Sequence, residues 1–111
     1  MNDNTCTTNV PSKPRAKAAQ RQQLAHWAKA LAHPARLQII AYLAQQRSCV
    51  CGEVVSQIGL AQSTVSQHLK ILVDSGLLAV SDQGPGRCYC VNAPLLAHVQ
   101  QRIGELIQES A

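Results

Sequence analysis

Phenylalanine is absent from this 111-residue chain, and aromatic residues make up only 3% of it. Any core must therefore be aliphatic, and a core of Leu, Ile, Val and Ala reads as helical. Acidic residues are scarce in one half: none lies between Asp3 and Glu53. The same half carries Lys13, Arg15, Lys17, Arg21, Lys29, Arg36 and Arg47. Ten Lys+Arg against six Asp+Glu leave a net charge of +4. A one-sided basic half points to a polyanion partner, against the plainer reading of a solvated amphipathic face. No apolar run has the length of a signal peptide or of a membrane span. The expectation is a cytoplasmic protein with no membrane partner.

Cysteine, in contrast, is plentiful. Five cysteines in a reducing compartment argue for metal binding or redox chemistry rather than a disulfide framework. Four of them form two close pairs, "SCVCG" with Cys49 and Cys51, and "RCYC" with Cys88 and Cys90. The length suits one domain. At this size folding buries roughly two thirds of the unfolded surface, so a core forms without staples. The polar, proline-bearing residues 1–14 read as a flexible tail, with Cys6 as a spare thiol. Residues 15–111 then form the folded domain.

Helical spacing is clear from Ala16 to Ala32, where Leu24, Trp27, Ala28 and Leu31 share a stripe. Trp27 is expected in the core or at a subunit interface. His33 stands at a cap position and Pro34 in a first turn. Leu37, Ile40, Leu43 and Ala44 then repeat at intervals of three and four. Gly52–Ile58 is a short helix candidate, stopped by Gly59. In "LAQSTVSQHLKILVDSGLL", Val65, Leu69, Leu72 and Val73 make a core stripe. Ser63, Ser66, Gln67 and Lys70 gather on the opposite face, and Gly76 ends the helix. "LLAVSD", "QGPG" and "RCYCVN" read as strand, turn and returning strand. Asn92 and Pro94 start a last helix, with Leu95, Val99, Ile103, Leu106 and Ile107 along one side.

Short helix, glycine turn, longer helix and hairpin describe a winged helix-turn-helix. The predicted fold is mainly α with a small β-hairpin, in the order α-α-α-α-β-β-α. Ser63, Ser66, Gln67 and Lys70 form a short polar face free of acids, suited to a major groove. Gln62 and Thr64 flank it near the helix start, where backbone amides accept a phosphate. Arg87 at the wing tip is placed for the DNA backbone or the minor groove. Double-stranded operator DNA is the expected partner. His68 falls on the core side of the same helix and reads as structural or phosphate-contacting rather than as a ligand.

Together, "ALAHPARLQIIAYL", "LAQSTVSQHLKILVDSGLL" and "GPGRCYCVN" resemble the ArsR/SmtB family of metal-responsive winged-helix repressors, over about Leu24 to Asn92. Within that family, Cys-Val-Cys at this place resembles the arsenite and antimonite sensors. The resemblance implies a homodimer joined through its first and last helices, repressing an operator until As(III) or Sb(III) binds. Gly52 and Glu53 follow the first pair where the minimal pattern has an Asp. The wing pair Cys88 and Cys90 is an addition that resembles a subgroup with paired cysteines in both places. Zinc-sensing relatives use Asp/His pairs on the last helix. Here that helix offers His98, Glu105 and Glu109 without a second His.

The residues give a parallel reason for four thiols. In winged-helix topology the segment before the turn helix can pair with the returning wing strand. Residues two apart on a strand share a face. Cys49 and Cys51 would then face Cys88 and Cys90, with opposed Cβ atoms roughly 5 Å apart. A helix start beside Cys51 favours thiolate. Three sulfurs suit pyramidal As(III) or Sb(III), and four suit tetrahedral Zn(II) or Cd(II). A thiol-redox or persulfide response is the alternative use of the same residues. With no His/Asp pairing to activate a nucleophile, no enzyme is expected.

Overall fold

The structure is a computed structural model that describes residues 13–46, 49–51, 58–81 and 86–109. Its elements are α1 (Lys13–Leu31), α2 (Pro34–Ala44), β1 (Val50–Cys51), α3 (Gln62–Asp74), β2 (Leu78–Ser81), β3 (Cys88–Val91) and α4 (Ala93–Glu109). The predicted helix Gly52–Ile58 lies outside the described residues except for Ile58, which is buried. The predicted hairpin is present as β2 and β3. The fold class gains one element beyond the predicted order, since β1 turns the hairpin into a three-stranded antiparallel sheet, β1-β3-β2. A strand there is reasonable on physical grounds. Without it, β3 would present a row of unpaired backbone groups along its outer edge.

The corner between α1 and α2 is built by two side chains. His33 has an extended backbone, and its Nδ1 accepts the Ala35 N–H at 3.0 Å. Pro34 follows at the first helical position, where a missing N–H costs nothing. Arg36 reaches back with Nη1 to the carbonyls of Lys29 and Ala30 at 3.0 and 3.1 Å. Those carbonyls close α1 and have no partner within their own helix, and a cation is favoured at that end.

Gly76 closes α3. Its φ of +86° is a left-handed conformation that L side chains rarely adopt. The Leu77 N–H returns to the Leu72 carbonyl at 3.1 Å and the Gly76 N–H to the Val73 carbonyl at 3.0 Å, which satisfies two orphan acceptors. A Cβ on Gly76 would sit 3.3 Å from Leu95 Cδ2 of α4. Asn92 fixes the same junction from the other side. Its Nδ2 donates to the Gly76 carbonyl at 2.9 Å, and its Oδ1 accepts the Leu95 N–H at 3.2 Å. The end of the third helix and the start of the fourth are therefore tied at one point.

The core is aliphatic, as the missing phenylalanine requires. Leu24, Trp27 and Ala30 of α1 meet Ile39 and Leu43 of α2, Val65, Leu69 and Leu72 of α3, then Leu77, Leu78 and Val99. Two stripes are corrected. On α2 the buried positions are Ala35, Ile39 and Leu43, while Leu37 is 52% exposed. Residues 35, 39 and 43 fall at i, i+4 and i+8, and residue 37 lies about 200° around the wheel from residue 39. On α1, Ala28 is exposed and Ala30 takes the core position.

Candidate DNA-reading surface and thiol site

The third helix separates its two duties by face. Val65, His68, Leu69 and Leu72 are buried. Gln62, Ser63, Ser66, Gln67 and Lys70 are exposed, and Thr64 is half-buried. Ala61 caps the helix start without a side-chain hydrogen bond. The first amides of α3 thus have no competing side-chain acceptor from the cap residue, and the macrodipole adds positive potential there. Lys70 Nζ lies 3.1 Å from Asp74 Oδ2 one turn on. Both side chains are largely exposed, so the pair contributes little stability and a phosphate can compete for the lysine. Arg87, just before β3, is exposed.

His68 is the buried polar group under this surface. Its Nδ1 accepts from Arg36 Nε at 3.2 Å, and its ring lies 4.4 Å from that of His33. Burial, then the charges of His33 and Arg36, hold its pKa below the ordinary histidine value. The sequence alone put His68 on the core side, and it is there. Its partner Arg36, 32 residues earlier, was not foreseen, since nothing local to either residue points at the other.

The four paired cysteines fall on two rungs of the sheet that flank the Val50–Tyr89 rung. β1 pairs with β3 in the register Val50↔Tyr89 and Cys51↔Cys88. One step outward, Cys49 lies opposite Cys90 with Cα atoms 4.6 Å apart, and their sulfurs are in direct contact across 41 residues of sequence. A Cα separation near 4.5 Å marks the closer of the two kinds of antiparallel pair. That kind recurs every second residue, so the rung of Cys51 and Cys88 belongs to it as well. Cys88 is buried and Cys49 is exposed. Among the described side chains, which do not include that of Cys51, no group of three or more His, Cys, Asp or Glu is arranged to hold a metal ion. The donor chemistry suits a thiophilic ion: soft sulfur ligands brought to one place from separate segments.

Among the described side chains, the last helix offers no comparable site. His98 packs edge-on against Trp27, with ring centroids 5.6 Å apart, and accepts from Arg102 Nε at 3.4 Å. Arg102 in turn pairs with Glu105 at 3.3 Å. Trp27 is a core residue, 7% exposed. Ile103, Leu106 and Ile107 of α4 are exposed. With Arg21, Leu24, Ala25 and Ala28 of α1, Ile103 and Leu106 line an apolar groove of about 370 Å³. No helix of the described residues is long and apolar enough to cross a membrane.

A polar helix face, a wing beside it and a sheet behind both define a winged-helix DNA-binding regulator. Comparison with known proteins gives the family. The family model for the bacterial regulatory proteins of the arsR family matches residues 33–80. The transcriptional repressor SmtB homolog of Synechocystis is 31% identical over 82% of this chain and 68% of its own length. The arsenical resistance operon repressor of Staphylococcus xylosus is 31% identical over 68% of this chain and 71% of its own. Among solved structures, the homodimeric winged helix-turn-helix DNA-binding domain of a possible ArsR-family regulator from Mycobacterium bovis superposes with a TM-score of 0.65. It is 32% identical over 89% of this chain and 93% of that one. The chain belongs to the ArsR/SmtB family of winged-helix transcriptional repressors and is not an enzyme.

Proposed function

We propose that this protein is a metalloid-responsive repressor. It binds operator DNA as a homodimer and lets go when As(III) or Sb(III) is held by thiolates among Cys49, Cys51, Cys88 and Cys90. The observation that carries this reading is the meeting of Cys49 with Cys90 across the sheet. The Staphylococcus xylosus relative, named for arsenical resistance, supports the same ligand class. Gln62, Ser63, Thr64, Ser66, Gln67, Lys70 and Arg87 are the proposed DNA contacts, because six of them are exposed and Thr64 is half-buried on the same surface. The exposed apolar side chains of α4 beside α1 favour pairing of two copies through those helices.

The chain's own part in release is mechanical. β1 precedes α3 in sequence, and β3 is the returning strand of the wing. A bound thiophilic ion supplies a common centre for the sulfurs, which fixes the two segments against each other. Two recognition helices must meet half-sites about 34 Å apart, so a small tilt in each copy is felt twice. A hundredfold loss of operator affinity on ligand binding corresponds to a coupling of about 2.7 kcal/mol, felt equally by ligand when DNA binds.

The test is operator binding titrated with arsenite, antimonite, Cd(II) and Zn(II), on the wild type and on each Cys→Ser variant. Release by arsenite or antimonite at lower concentration than by Cd(II) or Zn(II), lost on replacing the cysteines, supports the metalloid reading. Preferential release by the divalent ions reassigns the protein to Cd(II) or Zn(II). A second reading rests on the same geometry. A Cα distance of 4.6 Å lies inside the range that a disulfide spans. An oxidant of the disulfide or peroxide class could then take two electrons and two protons from Cys49 and Cys90. Release by oxidant with no metalloid response would favour it.

A further inference from the structure

The wing strand β3 carries thiols on one face and packing on the other. Tyr89 stands between Cys88 and Cys90, and alternation along a strand turns it to the opposite face from both. Across the sheet it occupies the row Val50, Tyr89, Val80. Val50 is buried, and Tyr89 is half-buried against the core cluster. Past the core, Tyr89 forms one wall of a cleft of about 630 Å³ between the wing and the recognition helix. Ser66, Leu69, Lys70 and Val73 of α3 line the other side.

We infer that Tyr89 is a positioning residue that carries the state of the thiol site to the recognition helix. Its backbone is held between the two cysteine rungs, and its ring stands in the cleft behind the DNA-reading face. This rests on the reading of the thiols as a ligand site. Close-packed groups transmit displacement because they compress little. A shift of β3 that brings its sulfurs together moves Tyr89 with the strand. Tyr89 and Val73 both pack against the core cluster that contains Leu69, so the displacement reaches the helix that carries Ser66 and Lys70 on its outer side. The ring's bulk does this, so the hydroxyl is dispensable.

The experiment uses the full-length protein with sodium arsenite as the probe. Operator affinity is measured with and without arsenite, and arsenite binding is followed separately by sulfur-to-arsenic ultraviolet absorption. Tyr89→Phe should keep the wild-type ratio of the two affinities. Tyr89→Leu should bind arsenite normally and hold operator within about threefold of wild type, while the ratio shrinks by about tenfold or more. Should Tyr89→Leu fail to fold, Val80→Ala tests the same wall, because Val80 is 38% exposed and tolerant. It should cut the ratio by about threefold. A Tyr89→Leu protein that binds arsenite and keeps the full ratio overturns the inference and sends the coupling along the chain from β1 to α3. If wild-type thiols do not bind arsenite, the proposed ligand class fails first and the inference falls with it.

Discussion

Arg36 donates from Nε to Nδ1 of His68 at 3.2 Å, while its Nη1 holds the last carbonyls of α1. One guanidinium thus joins the α1–α2 corner to the buried side of the recognition helix. The bond requires an unprotonated Nδ1 on His68. The orientation of α3 therefore depends in part on the protonation state of His68.

That dependence has a sign. Burial first, then His33 and Arg36, depress the His68 pKa in the folded state. The unfolded chain takes up this proton near pH 6.5, the folded chain only at lower pH. The contribution to stability is complete above about pH 6.5 and is lost as the pH falls from there towards the folded value. Urea midpoints at about pH 7.5 and about pH 5.5 should show a larger acid loss for wild type than for His68→Gln, which keeps an acceptor but does not titrate. Equal losses in the two proteins would contradict the assignment.

Gly76 and Gly59 make a matched pair for backbone strain. Both have positive φ, +86° and +76°, but among the described residues only Gly76 has a neighbour in the way of a Cβ. Gly59→Ala should cost about 1–2 kcal/mol, the left-handed penalty alone. Gly76→Ala should cost more, because Leu95 must also give way. Thermal unfolding of the two variants measures the difference.

The apolar side of α4 is expected to hold two copies together. Ile103→Glu with Leu106→Glu should give a folded monomer by sedimentation, with helical circular dichroism retained. Both side chains are already exposed in the single chain, at 49% and 39%, so the fold does not need them. Operator affinity should fall by more than a hundredfold as the two half-sites become independent. A dimer that survives both substitutions places the interface elsewhere.

Lys70 and Arg87 are expected to serve phosphate rather than base edges. Replacing either with Ala should weaken binding to all sequences alike and reduce the magnitude of the salt slope by about one. Gln67→Ala should instead relax preference at one base position, by about 1–3 kcal/mol. Binding isotherms at several salt concentrations, on operator and scrambled DNA, separate the two behaviours.

Much of this fold is legible in the sequence because periodicity and punctuation agree. Val65, Leu69 and Leu72 mark the buried side of α3 by their spacing, and Gly76 marks its end. That the two cysteine pairs face each other is legible too, since the segment before the turn helix can pair with the returning wing strand. That Cys49 meets Cys90 is set by the register of β1 on β3. Less legible were features set by tertiary packing. Leu37 belongs to an apolar repeat yet faces outward, because the core lies along residues 35, 39 and 43. Arg36 reads as one more cation of a basic half until its partner on another helix is seen. Tyr89 looks like a spacer between two cysteines, and only the depth of the sheet shows what its ring faces.

Cys90→Ser tests the central claim most directly, because this residue lies in the wing, 41 positions from Cys49. The wild type should bind about one As(III) per protomer and release operator in step with it. The Cys90→Ser protein should bind operator as tightly as wild type and lose at least about tenfold in its response to arsenite. Full, undiminished release from Cys90→Ser would show that the wing thiol takes no part, and that the two pairs do not act as one site.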